Sequence, residues 1–450
     1  MAFRTYLRQL LTDNALKRII TEVDADQEIA AVCRREYRSD GGGDALLFEA
    51  VRGTEIQVAA NLFGSKKRLL QMLNLDESAL IEKIRTLIRS GEQDAAGNIS
   101  FVCNNQPLDV APAQYIQSNC TLKEIPALRS WPEEKDPYLT LALTHTDSPV
   151  TAACNLGLYR AALVGDHKIA LNFAPGSGAD QHLQQAQGRG ESLPVALILG
   201  ADPALLWAAA APLPTSCSEY GFAAAITGRA VAMAPCLTQP LRVPAQAEIL
   251  IEGEIRPGER ISEGPFGNHT GKYVRRADCP LMKVTAIRHR AAPIMPVTVV
   301  GPPPSENVQL AKLNEILLRE MLCYDFPLIA DFVMPEMTIF HGVGIVAVRE
   351  CSAADVADLI RNLIRLTILG RSRLLVLVDD DMNIRDLNMS WWRTVNMLSP
   401  DRVIPSDKGL IINATGIDRQ ELVSEDVKMS ALADRREYLL ARKIPEHLQP

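Results

Sequence analysis

The segment from Ile261 to Tyr273, with the sequence ISEGPFGNHTGKY, concentrates polar side chains that could take part in catalysis. It contains a carboxylate at Glu263, an amide at Asn268 and an imidazole at His269, separated by glycines and a proline. Because glycine and proline interrupt regular helices and strands, this composition predicts a loop that can approach a ligand closely. A surface turn between two strands is the alternative interpretation of the same residues.

Three further segments contain isolated groups of the kinds that bind metal ions or anions. Asn155 and Arg160 are five residues apart in a strand predicted over residues 155–163, where such positions face opposite sides unless the chain bends or bulges. His182 lies at the start of a predicted helix, where backbone N–H groups favour a bound anion such as phosphate. Glu219 precedes a run of small residues. Each has a structural alternative: a hydrogen-bonded amide and a surface guanidinium, a capping or surface imidazole, and a carboxylate that caps its helix.

Asn155, His182 and Glu219 would supply an amide oxygen, an imidazole and a carboxylate. Such a set suits a divalent cation such as Mn²⁺ or Mg²⁺ that also holds a phosphate. A zinc ion would prefer more nitrogen or sulfur ligands. The sequence spacing does not by itself require the three side chains to meet.

Length and composition exclude several classes of protein. The chain has 450 residues, of which 47% are hydrophobic, and this is enough for two or three domains, since single cores stop growing at about 250–300 residues. A net charge of −7 argues against nucleic acid as the main partner. The nine cysteines form no C-x-x-C pair, so neither a disulfide framework nor a thiolate zinc site is indicated. No signal peptide or membrane-spanning stretch is recognisable, and we expect a cytoplasmic protein.

Three predicted units must position the polar segments. The first residues show helical apolar spacing. The chain then alternates between strands, one of them predicted over residues 16–23, and helices, one of them predicted over residues 66–73, which indicates an α/β lobe. The middle of the chain has short β-like runs separated by Pro, Gly, Asp and Asn, with two inserted helices. The sequence GPPP at 301–304 marks a boundary, followed by a long helix and a last α/β unit, in which Ser352 and Asp355 indicate the capped start of a helix. The predicted boundaries are residues 1–100, 101–300, 301–325 for the linker helix, 326–430, and 431–450 for a tail or helix.

Six motifs, in this order along the chain, resemble the UbiD-type (de)carboxylases. The likeness covers roughly residues 1–430, and six ordered motifs are far more specific than any one of them. The motifs are NLGLYR at 155–160, DQH at 180–182, LGADP at 199–203, SEY at 218–220, VPAQAEILIEG at 243–253 and EGPFGNHTG at 263–271.

The resemblance implies a fold and a reaction. The fold would have an N-terminal α/β lobe, a central split β-barrel that binds the flavin, and a C-terminal α/β oligomerisation domain. The reaction would be a reversible, non-oxidative decarboxylation of an aromatic or α,β-unsaturated acid with prenylated FMN. In such enzymes a divalent metal, usually Mn²⁺, holds the flavin through its phosphate, with K⁺ nearby.

The resemblance also assigns roles to individual residues. Asn155, His182 and Glu219 would bind the metal, while Arg160, Glu263 and Asn268 would form the catalytic network. The remaining cofactor contacts implied by the family are Gly157, Leu158, Gln181, Pro212 and, at the flavin phosphate, Lys408. The chemistry agrees with these roles, since a guanidinium stays charged and can fix a carboxylate and Glu263 can deliver a proton after CO₂ leaves.

Asn268 departs from the family pattern, which usually has Glu or Asp five residues after the first glutamate of this segment. An amide can exchange hydrogen bonds with Arg160 but cannot take up a proton at neutral pH. The residue is therefore expected to orient the network, with impaired turnover as the alternative.

The family resemblance suggests a flavin prenyltransferase as the supplier of the cofactor, and a homodimer or a hexamer built of dimers. Two other functions stay open at this point. A plain FMN oxidoreductase would need a nicotinamide site, but the chain lacks a G-x-G-x-x-G segment with the required acidic residue. A catalytically silent flavin-binding paralogue is motivated by Asn268.

Overall fold

The computed structural model describes residues 1–93, 99–100, 108–109, 116–118, 121–214, 217–336, 338, 342–366, 369, 372–406 and 409–416. Its helices, numbered in chain order, are α1 Phe3–Thr12, α2 Glu28–Glu36, α3 Lys66–Leu73, α4 Glu77–Ser90, α5 Gly178–Gly188, α6 Pro203–Ala210, α7 Glu219–Thr227, α8 Glu306–Asp325, α9 Ala353–Arg365 and α10 Leu387–Asn396. Its strands are β1 Leu16–Ile19, β2 Ala45–Phe48, β3 Gln57–Ala60, β4 Glu92–Gln93, β5 Ile99–Ser100, β6 Leu108–Asp109, β7 Ile116–Ser118, β8 Tyr138–Leu139, β9 Leu143–Asp147, β10 Cys154–Leu158, β11 Ala161–Gly165, β12 Lys168–Leu171, β13 Leu193–Leu199, β14 Ala232–Pro235, β15 Arg242–Pro244, β16 Ile249–Gly267, β17 Tyr273–His289, β18 Ile294–Val297, β19 Ile329–Val333, β20 Val343–Val348, β21 Leu374–Asp379, β22 Val403–Ser406 and β23 Gly409–Ala414.

The N-terminal lobe is a mixed sheet covered by helices. Its strand order is β1-β2-β3-β18, so a strand from the end of the central unit completes the sheet. Helix α1 buries Phe3, Tyr6, Leu7 and Leu10, the i, i+3, i+4, i+7 spacing that places apolar side chains on one helix face. Ser65 caps α3 by accepting a hydrogen bond from Arg68 N. Buried residues of this lobe share a core cluster with residues of the central unit.

The central unit is a long antiparallel sheet that curls into a half-barrel. The strand order is β10-β9-β13-β16-β17-β12-β11-β8, with β7 paired to β17. Neighbouring strands lie about 4.8 Å apart, so a flat sheet would separate β10 from β11 by about 29 Å. Yet only Tyr159 and Arg160 join these two strands, and three residue steps span at most about 11 Å. The sheet must therefore curl, and the predicted mixed α/β and β architecture is confirmed.

The C-terminal unit is a second mixed sheet with the order β19-β20-β21-β23-β22. Its central strands β20, β21 and β23 are parallel, and α9 connects β20 to β21 as a crossover helix. Ser352 and Asp355 form a capping box at the start of α9, as the sequence predicts. None of the described helices is both long and apolar enough to cross a membrane.

Helix α8 packs against the N-terminal lobe, the central unit and the C-terminal unit. Leu310, Leu313 and Leu317 join a core cluster shared by the N-terminal lobe and the central unit. Leu318 and Leu322, on another face, join the core of the C-terminal unit. A single helix therefore contributes to two cores and couples the positions of the units it touches.

The prediction of a loop over 261–273 is wrong for most of that segment. Ile261–Gly267 is the end of β16 and Tyr273 begins β17, so that only residues 268–272 form a turn. The pairing of β16 with β17 shifts register on both sides of Glu263, and Gly264 has φ of 100°. Such bulges accommodate a proline, which cannot donate to the ladder, and pairing resumes at Phe266 with Val274.

The single strand predicted over 155–163 is also wrong, because the chain forms β10, bends at Tyr159–Arg160 and continues as β11. Asn155 therefore lies on β10, whereas Arg160 lies in the bend just before β11, and these two strands are at distant positions in the sheet order. The two residues can therefore serve two different parts of one site.

Candidate active site

A buried ion pair joins Arg160 to Glu263. Arg160 Nε donates to Glu263 Oε1 at 2.7 Å, and Nη2 donates to Oε2 at 2.8 Å. Glu263 is 1% exposed, whereas the Arg160 side chain is 23% exposed. This two-pronged arrangement is the strong form of a guanidinium–carboxylate contact. It fixes a cation and an acid next to one another, with the cation at the open side.

Neighbouring strands add further groups around this pair. Asn172 Nδ2 donates to Glu263 Oε2 at 3.0 Å, and Cys279 Sγ lies 4.0 Å from the same oxygen. The Arg160 guanidinium lies over the Phe266 ring, 4.7 Å from its centroid, a favourable cation–π contact. The Glu263 carboxylate is therefore held in one orientation by several donors.

A second polar group lies where β10 meets α5 and α7. Asn155 on β10 is paired in register with Thr146 on β9, and Thr146 Oγ1 lies 2.9 Å from His182 Nδ1. A Cβ added to Gly178, the first residue of α5, would lie 2.2 Å from Asn155 Oδ1. The amide is thus packed against the start of the helix that carries His182.

Glu219 reaches the same strand from α7. Its Oε2 accepts a hydrogen bond from Leu156 N at 3.2 Å, next to Asn155, and burial raises its carboxyl pKa to about 7. Burial lowers the pKa of His182. Asn155 Nδ2 is buried and, among the described residues, has no hydrogen-bond partner. A bound cation would stabilise the neutral imidazole and the buried carboxylate as its ligands. A bound anion would accept a hydrogen bond from the unused amide donor.

The structure thus brings Asn155, His182 and Glu219 to neighbouring element ends through Thr146, Gly178 and Leu156. Within the described ranges, no group of three or more His, Cys, Asp and Glu side chains has a metal-binding arrangement. The predicted set contains only two such residues, because its third member is an amide. Its metal-binding role stays a prediction.

The structure describes four of the five other predicted residues. Gly157 is packed against the Tyr159 ring, and Leu158 and Pro212 are half-buried. Gln181 is exposed and donates from Nε2 to Gly176 O at 2.9 Å. Lys408 lies outside the described residues.

Asn268 is half-buried in the turn between β16 and β17. Its Oδ1 accepts from Thr270 N at 2.9 Å and from Thr270 Oγ1 at 2.6 Å. In this structure the amide oxygen therefore orders the turn, and Asn268 is not among the groups hydrogen-bonded to Arg160 or Glu263.

Sequence reasoning missed two neighbours of the site, Thr146 and Asn172. Asn172 is 91 residues away from Glu263 in the chain, and only the pairing of the strands brings the two together. Alternating polar positions in β9 and just beyond β12 are the only local signal for them, and that signal does not specify a partner.

Three family models match successive parts of the chain. They describe the 3-octaprenyl-4-hydroxybenzoate carboxy-lyase N-terminal domain over residues 7–88, its Rift-related domain over residues 105–303, and its C-terminal domain over residues 308–420. An uncharacterized protein of Aquifex aeolicus is 31% identical over 424 residues, which cover 90% of this chain and 86% of the relative.

Solved structures share the same fold. An evolved dimeric form of the UbiD-class enzyme HmfF from Pelotomaculum thermopropionicum, in complex with prFMN, has a TM-score of 0.80 at 24% identity and covers 97% of this chain and 100% of that one. Vanillic acid decarboxylase of Sedimentibacter hydroxybenzoicus in closed form has a TM-score of 0.83 at 22% identity, covering 96% and 98%. The apo 3,4-dihydroxybenzoic acid decarboxylase of Klebsiella pneumoniae has 0.74 at 22% identity, covering 96% and 99%.

Proposed function

The chain belongs to the UbiD family of carboxy-lyases, and from this premise we propose that it catalyses the reversible, non-oxidative decarboxylation of an aromatic or α,β-unsaturated carboxylic acid with prenylated FMN. The observation that carries this proposal is the Arg160–Glu263 pair, a buried acid fixed against a partly exposed cation. Decarboxylation needs these two groups, one to hold a carboxylate and one to supply a proton.

Arg160 binds the substrate carboxylate in this proposal. Glu263 occupies Nε and Nη2, and a guanidinium has five N–H donors in a planar fork, so Nη1 faces the substrate without breaking the pair. The contact with Phe266 keeps the guanidinium plane in place. The substrate carbon that bears CO₂ is thereby held near Glu263.

Glu263 donates the proton that replaces CO₂. In its protonated form it transfers H⁺ from a carboxyl oxygen to the substrate carbon, and it becomes the carboxylate that Arg160 and Asn172 stabilise. In the reverse direction the same carboxylate removes the proton. Asn172 holds Oε2 at 3.0 Å and orients the acid in both directions.

The residues around Asn155 fit a metal-bound flavin phosphate. His182 Nε2, Asn155 Oδ1 and the Glu219 carboxylate would hold Mn²⁺ or Mg²⁺, while Asn155 Nδ2 and the first N–H groups of α5 would donate to phosphate oxygens. The buried Nδ2 without a partner supports this fit. When bound, the prenylated flavin supplies the electron sink for the reaction. A K⁺ ion beside the phosphate, and contacts from Gln181, Pro212 and Lys408, belong to the same proposal.

Purification from cells with and without a flavin prenyltransferase tests the proposal. We expect decarboxylation, or H/D exchange at the reacting carbon, on a panel of benzoate, 2-furoate and cinnamate only when the prenyltransferase is present. Activity with FMN and a nicotinamide would instead identify a plain FMN oxidoreductase. Flavin binding without turnover of any acid would identify a silent paralogue, which the replacement of the family's acid by Asn268 motivates.

We also propose that the protein acts in the cytoplasm as a homodimer or homohexamer, assembled through the C-terminal unit. Helix α10 and the residues after it expose a row of large apolar side chains, Met389, Trp392, Val395 and Leu398. Such a row is typical of a protein interface. We further propose that the domain boundaries lie at residues 100, 300, 325 and 430, as the sequence predicts.

A further inference from the structure

Strand β9 contacts two helices of the candidate site, one on each of its faces. His145 contacts Tyr220 of α7, whereas the next residue, Thr146, contacts His182 of α5. Because successive side chains of a strand point to opposite faces, α5 and α7 lie on opposite sides of the sheet at β9. Each of these helices carries one of the proposed metal ligands, His182 in α5 and Glu219 in α7.

The two helices come together at strand β10, which ends the sheet order next to β9. Leu156 N of this strand donates to Glu219 Oε2 at 3.2 Å. Asn155, the third proposed ligand, precedes Leu156 and is paired in register with Thr146. The relative positions of the three ligands therefore depend on how α5 and α7 are fixed to the β9–β10 pair.

One buried polar contact fixes each helix to β9. Thr146 Oγ1 lies 2.9 Å from His182 Nδ1, so on this face the contact is made by the ligand itself. On the other face, Tyr220 Oη lies 2.9 Å from His145 Nδ1, and these two residues are 2% and 3% exposed. His145 Nε2 lies 3.2 Å from Asp147 Oδ1. A neutral imidazole that donates from Nε2 to Asp147 accepts at Nδ1 from the Tyr220 hydroxyl.

Packing alone does not require the Tyr220 hydroxyl. The ring of Tyr220 belongs to a core cluster of apolar residues, in which phenylalanine would fill the same space. Apolar contacts are non-directional, whereas a hydrogen bond restricts both distance and angle. The contact with His145 therefore fixes the rotation of the first turn of α7. Since Glu219 immediately precedes Tyr220, that rotation sets the direction of the Glu219 carboxylate.

We propose that the hydrogen bond between His145 and Tyr220 positions Glu219 for the metal ion, as the contact of Thr146 positions His182 on the opposite face. The inference rests on the proposed function, in which these ligands hold Mn²⁺ or Mg²⁺. His145 and Tyr220 act through Glu219, so both are positioning residues. Metal–ligand distances tolerate only about 0.2 Å, and a small rotation of α7 is enough to weaken binding.

Tyr220→Phe removes only the hydroxyl, and Tyr6→Phe is its matched control. Tyr6 belongs to the same core cluster and is also fully buried, but its hydroxyl donates to Leu62 O at 2.7 Å in the N-terminal lobe. Both variants lose a buried tyrosine hydrogen bond, and both should unfold at a lower temperature than wild type. Only Tyr220→Phe should change the metal site.

The decisive measurement is isothermal titration of Mn²⁺ into each full-length protein in the presence of saturating FMN, well below the unfolding temperatures. Tyr220→Phe should bind Mn²⁺ about 10–100-fold more weakly than wild type, the usual effect of removing a group that orients a metal ligand. Tyr6→Phe should bind Mn²⁺ like wild type. The electron paramagnetic resonance signal of unbound Mn²⁺ gives a second measure of the same affinities.

The double variant His145→Leu/Tyr220→Phe separates positioning from stability. Replacing both partners by apolar groups leaves no buried ring nitrogen without its hydroxyl partner, and such pairs of replacements are nearly neutral for stability. The Mn²⁺ affinity should nevertheless stay as low as in Tyr220→Phe, because both variants lack the same hydrogen bond. An affinity that returns to the wild-type value in the double variant would overturn the positioning role.

Wild-type Mn²⁺ affinity in Tyr220→Phe would also overturn the positioning role and would leave the proposed function intact. Equal losses of affinity in Tyr220→Phe and Tyr6→Phe would overturn it too, since the loss would then follow stability. Wild-type protein that binds neither Mn²⁺ nor Mg²⁺ in the presence of FMN would refute the metal site of the proposed function, and the positioning role with it.

Discussion

Substitution of Gly178 by alanine tests the assignment of Asn155 as a metal ligand. The new Cβ would lie 2.2 Å from Asn155 Oδ1 and 2.8 Å from Cγ. Non-bonded carbon atoms prefer separations of about 3.5–4 Å, so the amide must retreat by roughly 1 Å. Metal–ligand distances tolerate only about 0.2 Å. Asn155 therefore cannot keep a position that suits a metal ion in this variant.

We expect Gly178→Ala to weaken Mn²⁺ binding by about 100-fold, the upper end of the effect of disturbing the surroundings of a metal ligand. Isothermal titration of Mn²⁺ into the flavin-free protein, and fluorescence quenching of added FMN, measure this loss independently of turnover. Gly178 does not need positive φ, and alanine favours a helix by about 0.5–1 kcal/mol over glycine, so the loss of stability should not exceed the cost of displacing the Asn155 side chain, about 1–3 kcal/mol.

Gly188→Ala is the matched control, because Gly188 ends the same helix and an added Cβ would meet nothing within 4 Å. It should bind Mn²⁺ and FMN like wild type. Wild-type affinity in Gly178→Ala would refute the assignment of Asn155, and equal losses in both variants would show that α5 as a whole was disturbed.

Three further predictions concern other polar side chains. Burial raises the pKa of Glu306 from its ordinary 4.5 to about 7, so the stability linked to its proton is complete below pH 4.5 and is lost as the pH rises through 7. Glu306→Gln, which keeps an acceptor for Phe63 N, should match wild type near pH 4.5 and exceed its unfolding free energy by up to about 3 kcal/mol at pH 8; urea unfolding that shows no pH-dependent gap would contradict this. Thr146→Val removes the partner of His182 Nδ1 and should lower Mn²⁺ affinity about 10–100-fold, while Thr146→Ser should retain it; equal affinities by titration would dismiss the role of the hydroxyl. Asn268→Asp should decarboxylate at a similar or higher rate, and complete loss of activity would contradict an orienting role for the amide.

Local patterns in the sequence were sufficient to predict the elements in which apolar residues recur with the period of a helix or a strand. Helix α3 spans Lys66–Leu73 and α9 begins with its Ser352–Asp355 capping box, since caps and apolar spacing act within one or two turns. The strand predicted over residues 16–23 is shorter and ends at Ile19. Element types were easier to predict than element ends.

Features that depend on strand pairing could not be predicted from local patterns. Gly264 and Pro265 indicate a loop when only neighbours in the chain are considered, but β17 pairs with this segment and absorbs both residues in bulges. The placement of Asn155 on β10 and of Arg160 in the bend before β11 depends on the strand order of the whole sheet. The contact of Asn172 with Glu263 depends on the order of β12, β17 and β16, which no short segment encodes.

The most direct test of the central claim is H/D exchange at the reacting carbon by Glu263→Gln. Wild type and variant are purified with the flavin prenyltransferase and matched for bound flavin by absorbance. Because Gln keeps the volume and an acceptor for Arg160 but has no proton to give, exchange should fall by about 10²–10⁴-fold while flavin binding persists. Exchange at the wild-type rate in Glu263→Gln would contradict the account, since the proton would then come from another group.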